Sequence, residues 1–225
     1  MATTALDSSP AERAAARTPR WWWALAVFAA LIVLYALAYV VVGPPMYPPN
    51  LSASFRARPW GIYPHAFFGA LALGIGAAQF HPAMIRRRRA LHRTLGKVYV
   101  GACLVAGAAG LYMAWYAYGG AVPRLGFGTL AVLLLATTWL AFAAARRRDI
   151  ATHRAWMLRS YALIFAAVTL RIELPLLIMS FGGDFDPAYK TVAWLCWAPN
   201  LLWAELWLRR RRLEPAALAE LRAVA

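Results

Sequence analysis

The sequence predicts an all-α polytopic membrane bundle of six transmembrane helices, and three observations predict it. Hydrophobic residues make up 62% of the 225-residue chain, against about 45–50% in a soluble domain. Apolar runs of about 20 residues recur along it, each long enough to cross a hydrocarbon layer roughly 30 Å thick. The 24 Lys and Arg residues are sorted by segment. Nineteen fall within 1–20, 86–97, 146–159 and 209–225; Arg56, Arg58, Arg124 and Lys190 lie in the alternate connections, and Arg171 lies inside an apolar run. That alternation is the positive-inside pattern, and it predicts an inner (plasma) membrane protein with both termini cytoplasmic.

Taken in order, the expected spans are 21–43, 63–84, 98–118, 126–145, 158–181 and 190–208, forming one transmembrane domain over 21–212. The tail 1–20, rich in Ala, Ser and Arg, has too little to bury and is expected to be disordered. The first apolar run exceeds the 7–15 residue core of a signal peptide and is followed by no small-residue cleavage site, so it reads as a retained span. Between spans one and two, Gly43-Pro44-Pro45-Met46-Tyr47-Pro48-Pro49-Asn50 cannot continue a helix and is expected to be an ordered outer or interfacial loop. Trp21, Trp22, Trp23, Trp60 and Tyr63 fall at span ends, where amphipathic rings anchor in the headgroup layer. Ala102, Ala106 and Gly110 on span three, and Gly69, Gly74 and Gly76 on span two, thin helix faces for close packing. The tail 213–225 is expected on the cytoplasmic side, as a short surface helix.

The net charge of +15 would suit nucleic acid, but its placement excludes that partner. Arg86–Arg89, Arg146–Arg148 and Arg209–Arg212 each abut the end of an apolar run, where anionic lipid rewards them. Anionic lipid at the cytoplasmic face is therefore the expected partner. Cys103 and Cys196 fall at different depths of their helices, so no disulfide between them is expected. Walker-type, dinucleotide-binding, HExxH and CxxC motifs are all missing. No catalytic set is legible, and any activity must run from within the bundle.

Spans two to five repeat one plan twice, predicting a four-helix core of two similar hairpins. The first copy gives Arg86–Arg89, then His92-Arg93, Lys97 and Tyr99; the second gives Arg146–Arg148, then His153-Arg154, Arg159 and Tyr161. Both histidines open a helix, where the positive end of the helix dipole disfavours imidazolium and keeps the ring able to bind a metal. Facing one another, they would form the axial pair of a haem b or part of a transition-metal site, with His81 as a further candidate ligand. Arg93 and Arg154 are placed to meet anionic cofactor groups. The alternative for both His-Arg pairs is a purely basic inner collar that contacts phosphates or caps helices.

Arg171 and Glu173 are the other anomaly, because a charge within a span is expensive and usually faces the bundle interior with a partner. Two residues apart on a helix, they point to nearly opposite faces. Arg171 is expected to pair across the bundle in an outer pocket that His65 shares; the alternative is that Arg171 hydrogen-bonds to carbonyls as a structural clamp while Glu173 reaches the outer surface beside Pro175. Asn200 is expected to satisfy a carbonyl freed by Pro199, and Glu205 to pair with Arg209.

The order of His65 with Gly69, Gln79-Phe80, His92-Arg93 with Gly96 and Tyr99, and the string His153-Arg154-Ala155-Trp156-Met157-Leu158-Arg159-Ser160-Tyr161 leading to Arg171 resembles a family of bacterial predicted membrane proteins, domain of unknown function 2306. The resemblance covers about residues 60–180 and implies an integral membrane protein without an established activity or cofactor. A looser architectural likeness is to haem-carrying four-helix membrane cytochromes, from which the single outer histidine departs. Three functional readings follow: a haem or metal protein using His92 and His153; a small-solute or proton transporter using His65, Arg171 and Glu173; and a non-catalytic scaffold or assembly factor.

Overall fold

The computed structural model describes residues 18, 20–81, 84 and 87–224, with side chains described through Arg211. Most of the tail 1–20, Arg86 and the side chains of 213–225 lie outside the described residues. Among the described residues every regular element is helical. In chain order they are α1 (Arg20–Val42), a 3-10 turn (Pro44–Met46), α2 (Pro49–Arg56), α3 (Pro59–Gln79), α4 (Arg89–Trp115), α5 (Ala121–Arg146), α6 (Ile150–Ile164), α7 (Ala166–Ser180), α8 (Phe185–Leu195) and α9 (Ala198–Val224).

Among the described residues, five stretches are long and apolar enough to cross a membrane: α1, α3, α4, α5 and the run Ile150–Ser180 that joins α6 to α7. The expected last span, 190–208, is divided between α8 and α9 around Cys196 and Trp197. Pro199 carries no N–H for the carbonyl four residues back, which favours a break there. The local backbone is then satisfied from side chains. Asn200 Nδ2 donates to the Cys196 carbonyl at 3.0 Å and to Thr169 Oγ1 at 3.1 Å, and Thr169 donates its hydroxyl to the same Cys196 carbonyl.

The proline-rich connection is ordered, and its prolines begin elements as well as ending one. Pro44 and Pro49 open the 3-10 turn and α2, at the first helical position, where the missing N–H costs nothing. Gly43 supplies the left-handed backbone, φ 71°, that turns the chain out of α1. Tyr39, Tyr47 and Ile62 form a small cluster beneath this connection, with Phe55 and Tyr63 against it.

Helices α3, α4, α5 and α6 pack in sequence and α6 returns to α3, closing a four-helix ring; α1 lies outside against α3, α8 against α7 and α5, and α9 against α6. Trp22, at the start of α1, donates Nε1–H to the Ala77 carbonyl near the end of α3 at 2.9 Å. It therefore serves as an interhelix tie, whereas Trp21, Trp23 and Trp60 remain exposed as anchors would be. Arg159 in the second half of α6 grips Glu205 on α9 through two contacts, 2.5 and 2.9 Å. The sequence-based pairing of Glu205 with Arg209 is thus corrected: a bidentate fork across helices outcompetes a flexible pair on one helix. These ties place Arg87–Arg89, Arg146–Arg148 and Arg209–Arg211 at one end, called here the basic end.

Small residues set the packing. Ala102 and Ala106 are almost wholly buried, and a Cβ on Gly76 would collide with the rings of Tyr161 and Tyr99. Where lipid offers no hydrophobic drive between helices, such close approach supplies the contact. Gly126 lets α5 meet the Ala193 backbone of α8 in the same way.

Candidate functional site

Helices α4 and α6 face one another across the ring, and the residues that meet there repeat at a spacing of seven. Tyr99 Oη lies 2.9 Å from Ser160 Oγ, and Ser160 Oγ lies 2.7 Å from Thr138 Oγ1 of α5. All three are buried, and the Cys103 thiol joins the same hydrogen-bonded group. Seven residues before Tyr99 stands His92; seven before Ser160 stands His153. Two helical turns return a residue to nearly the same face, so both histidines look toward the ring axis, one layer nearer the basic end. The rings are close enough to interact electrostatically.

Their nitrogens are differently placed. His153 Nδ1 is 2.9 Å from the Ala141 carbonyl of α5. A carbonyl only accepts, so Nδ1 carries the proton and the neutral ring keeps its lone pair on Nε2. His92 Nδ1 is buried without a hydrogen-bond partner, as is Gln79 Nε2 at the same end of α3. Asp149 caps α6 one turn before His153, accepting from the Thr152 N–H at 3.0 Å. Thr152, through its hydroxyl first and its N–H second, holds the Asp149 carboxyl below its ordinary range. Arg93 and Arg154 are exposed at the rim.

His81 stands apart from the pair. Its Nε2 lies 3.1 Å from Thr18 Oγ1, and its ring meets Trp22 edge-on with centroids 4.6 Å apart. Among the described residues no three His, Cys, Asp or Glu side chains are gathered as a metal site. A three-histidine ligand set of His81, His92 and His153 is thereby corrected, because the α1–α3 contact holds His81 elsewhere.

In the half of the bundle away from the basic end, the structure brings His65 and Arg171 together and sends Glu173 elsewhere. His65 Nδ1 lies 3.1 Å from the Ala106 carbonyl of α4, and the ring fits against Gly110. Arg171 lies near enough for its charge to act on His65 and on Tyr39. Its guanidinium sits 5.1 Å from the centre of the Tyr35 ring, and Nη1 donates to the Ala167 carbonyl at 2.8 Å. Arg171 Nε is buried without a partner. Glu173 is turned toward Cys196 at the α8–α9 junction, with Oε2 buried and unpartnered.

The Tyr99–Ser160–Thr138 group and Gln79 were not singled out as functional from sequence. The duplication aligned Tyr99 with Tyr161, but Tyr161 Oη donates to the Leu73 carbonyl at 3.3 Å. Counting a constant seven from each histidine would have found the meeting pair.

The family model for a predicted membrane protein family, DUF2306, matches residues 62–208. The chain belongs to the DUF2306 family. The DUF2306 match includes every histidine and buried ion discussed above, and it excludes α1 and the proline-rich connection. No curated protein and no solved structure matches the chain.

Proposed function

We propose that this DUF2306 member is a membrane haem protein, with one haem b held between His92 and His153 at the basic end. The observation that carries the reading is the facing pair itself: two imidazoles on opposite helices of the ring, one locked by Ala141 with Nε2 bare, the other with a buried nitrogen lacking any partner. Two protein ligands suit an iron whose other four positions a porphyrin fills, and they are too few for a bare transition metal, which takes at least three. Gln79 Nε2 and the exposed Arg93 and Arg154 supply donors for acidic substituents around such a group. A haem there would supply one-electron chemistry; the chain's own part is to orient the two rings and exclude water through the packed Tyr99 layer.

The orientation belongs to the same reading. The arginine excess at the basic end supports a cytoplasmic side for that end and both termini, in an inner membrane, with the α8–α9 pair, which runs back beside α7 and α6, as the sixth crossing.

The test is the absorbance spectrum of protein purified from cells supplied with haem. A Soret band in the wild type that is lost in both His92→Ala and His153→Ala is expected. Wild-type protein without the band, or either variant retaining it in full, would overturn the reading.

A further inference from the structure

The far half of the bundle contains a buried charge for which the haem reading has no use. His65 is exposed on α3, and its Nδ1 is held 3.1 Å from the Ala106 carbonyl. One helical turn along α3, a Cβ on Gly69 would meet nothing within 4 Å, so that face is open there. Ala106 and Gly110 of α4 supply the floor, Tyr35 of α1 supplies a wall, and Arg171 of α7 supplies the charge.

That charge lacks a counter-ion. The ion pairs among the described residues are Arg159–Glu205 and Lys190–Asp186, and Arg171 spends one N–H on its own helix while Nε stays unpaired. A permanently protonated guanidinium at membrane depth is retained against a cost of several kcal/mol, which makes it a functional group by default. With Nδ1–H committed to Ala106, neutral His65 offers Nε2 as an acceptor, and on protonation it becomes a second donor. A planar five-donor fork beside an aromatic wall matches a carboxylate or phosphate in geometry as well as charge.

We propose that the region where α1, α3, α4 and α7 meet binds an oxyanion, a carboxylate or phosphate group, against Arg171 with His65 beside it. The anion completes a neutral pair at a depth where water cannot. The same group arrives either on a small soluble acid or on the headgroup of an anionic lipid.

Thermal unfolding of the full chain distinguishes these sources. The wild type is measured in neutral detergent with added sodium benzoate or inorganic phosphate, and separately in nanodiscs of phosphatidylcholine with or without phosphatidylglycerol. Saturable stabilisation by benzoate or phosphate assigns the soluble source, and stabilisation by phosphatidylglycerol alone assigns the headgroup. At a probe concentration one hundredfold above its Kd, the folded-to-unfolded ratio should rise about a hundredfold. Arg171→Gln should abolish the response, and Arg171→Met without any anion should be at least as stable as the wild type, since it removes an unpaired buried charge. His92→Ala should respond as the wild type does, which separates this site from the haem site. The proposal is overturned if none of the three probes stabilises the wild type, or if Arg171→Gln responds equally. Should Arg171→Gln not fold, Arg171→Met takes its place in the same titration.

Discussion

The two halves of the bundle hold their ionisable groups in opposite ways. At the basic end, charge is plentiful but sits on exposed arginines, and the residues turned inward are two imidazoles that can stay neutral. In the far half, charge is scarce, and the groups turned inward are one guanidinium that cannot lose its proton and, apart from it, the Glu173 carboxyl. The difference teaches which chemistry each half can host: a lone-pair donor set near the collar, an electrostatic trap away from it.

The sharpest way to break that contrast is to exchange the losses. His92→Ala with His153→Ala should remove the Soret band completely while Arg171→Gln leaves it intact; the reverse outcome in absorbance spectra would show that the halves are not separate sites. Next in size, Gly76→Ala drives a methyl into Tyr161 and Tyr99 and should cost up to about 3 kcal/mol. Denaturant titration in detergent measures it, and a change within error would mean that the rings yield freely. Ser160→Ala strips partners from Tyr99 and Thr138 and should cost about 1–2 kcal/mol, with weakened haem retention if the layer above the histidines keeps them dry. An unchanged stability and haem content would reduce the network to filler.

The smallest effect belongs to Asp149. Its carboxyl is held low by Thr152, so its capping contribution is present above the ordinary carboxylate range and fades as pH falls through the lowered value. Asp149→Asn should therefore flatten the acid limb of a stability-against-pH curve slightly, and an unaltered limb would detach the cap from the stability of α6.

Much of the fold was legible because membrane crossing is a property of composition and length. The presence of several apolar spans and the ordered proline connection follow from hydropathy and from where a backbone N–H is missing, whereas the last expected span, 190–208, reads as continuous in sequence and is broken at Cys196 and Trp197. The partners of polar side chains were less legible, since they depend on how helices rotate about one another. Glu205 had Arg209 nearby in sequence and took Arg159 instead. Tyr161 had the stronger claim to match Tyr99 in the duplication, yet a single-residue offset gave that place to Ser160. The approach of Arg171 to His65 was expected from equal depth alone, whereas the open space beside Gly69 has no counterpart in the sequence pattern.

The grip of Arg159 on Glu205 has a mechanical consequence. Arg159 adjoins Ser160 and lies six residues beyond His153 on one rigid helix, so α9 is a lever whose short arm ends beside the histidine pair. Traction on the carboxyl terminus, whether from a fused tag or from a tethered binding protein, is delivered to α6 before it reaches any other helix of the ring.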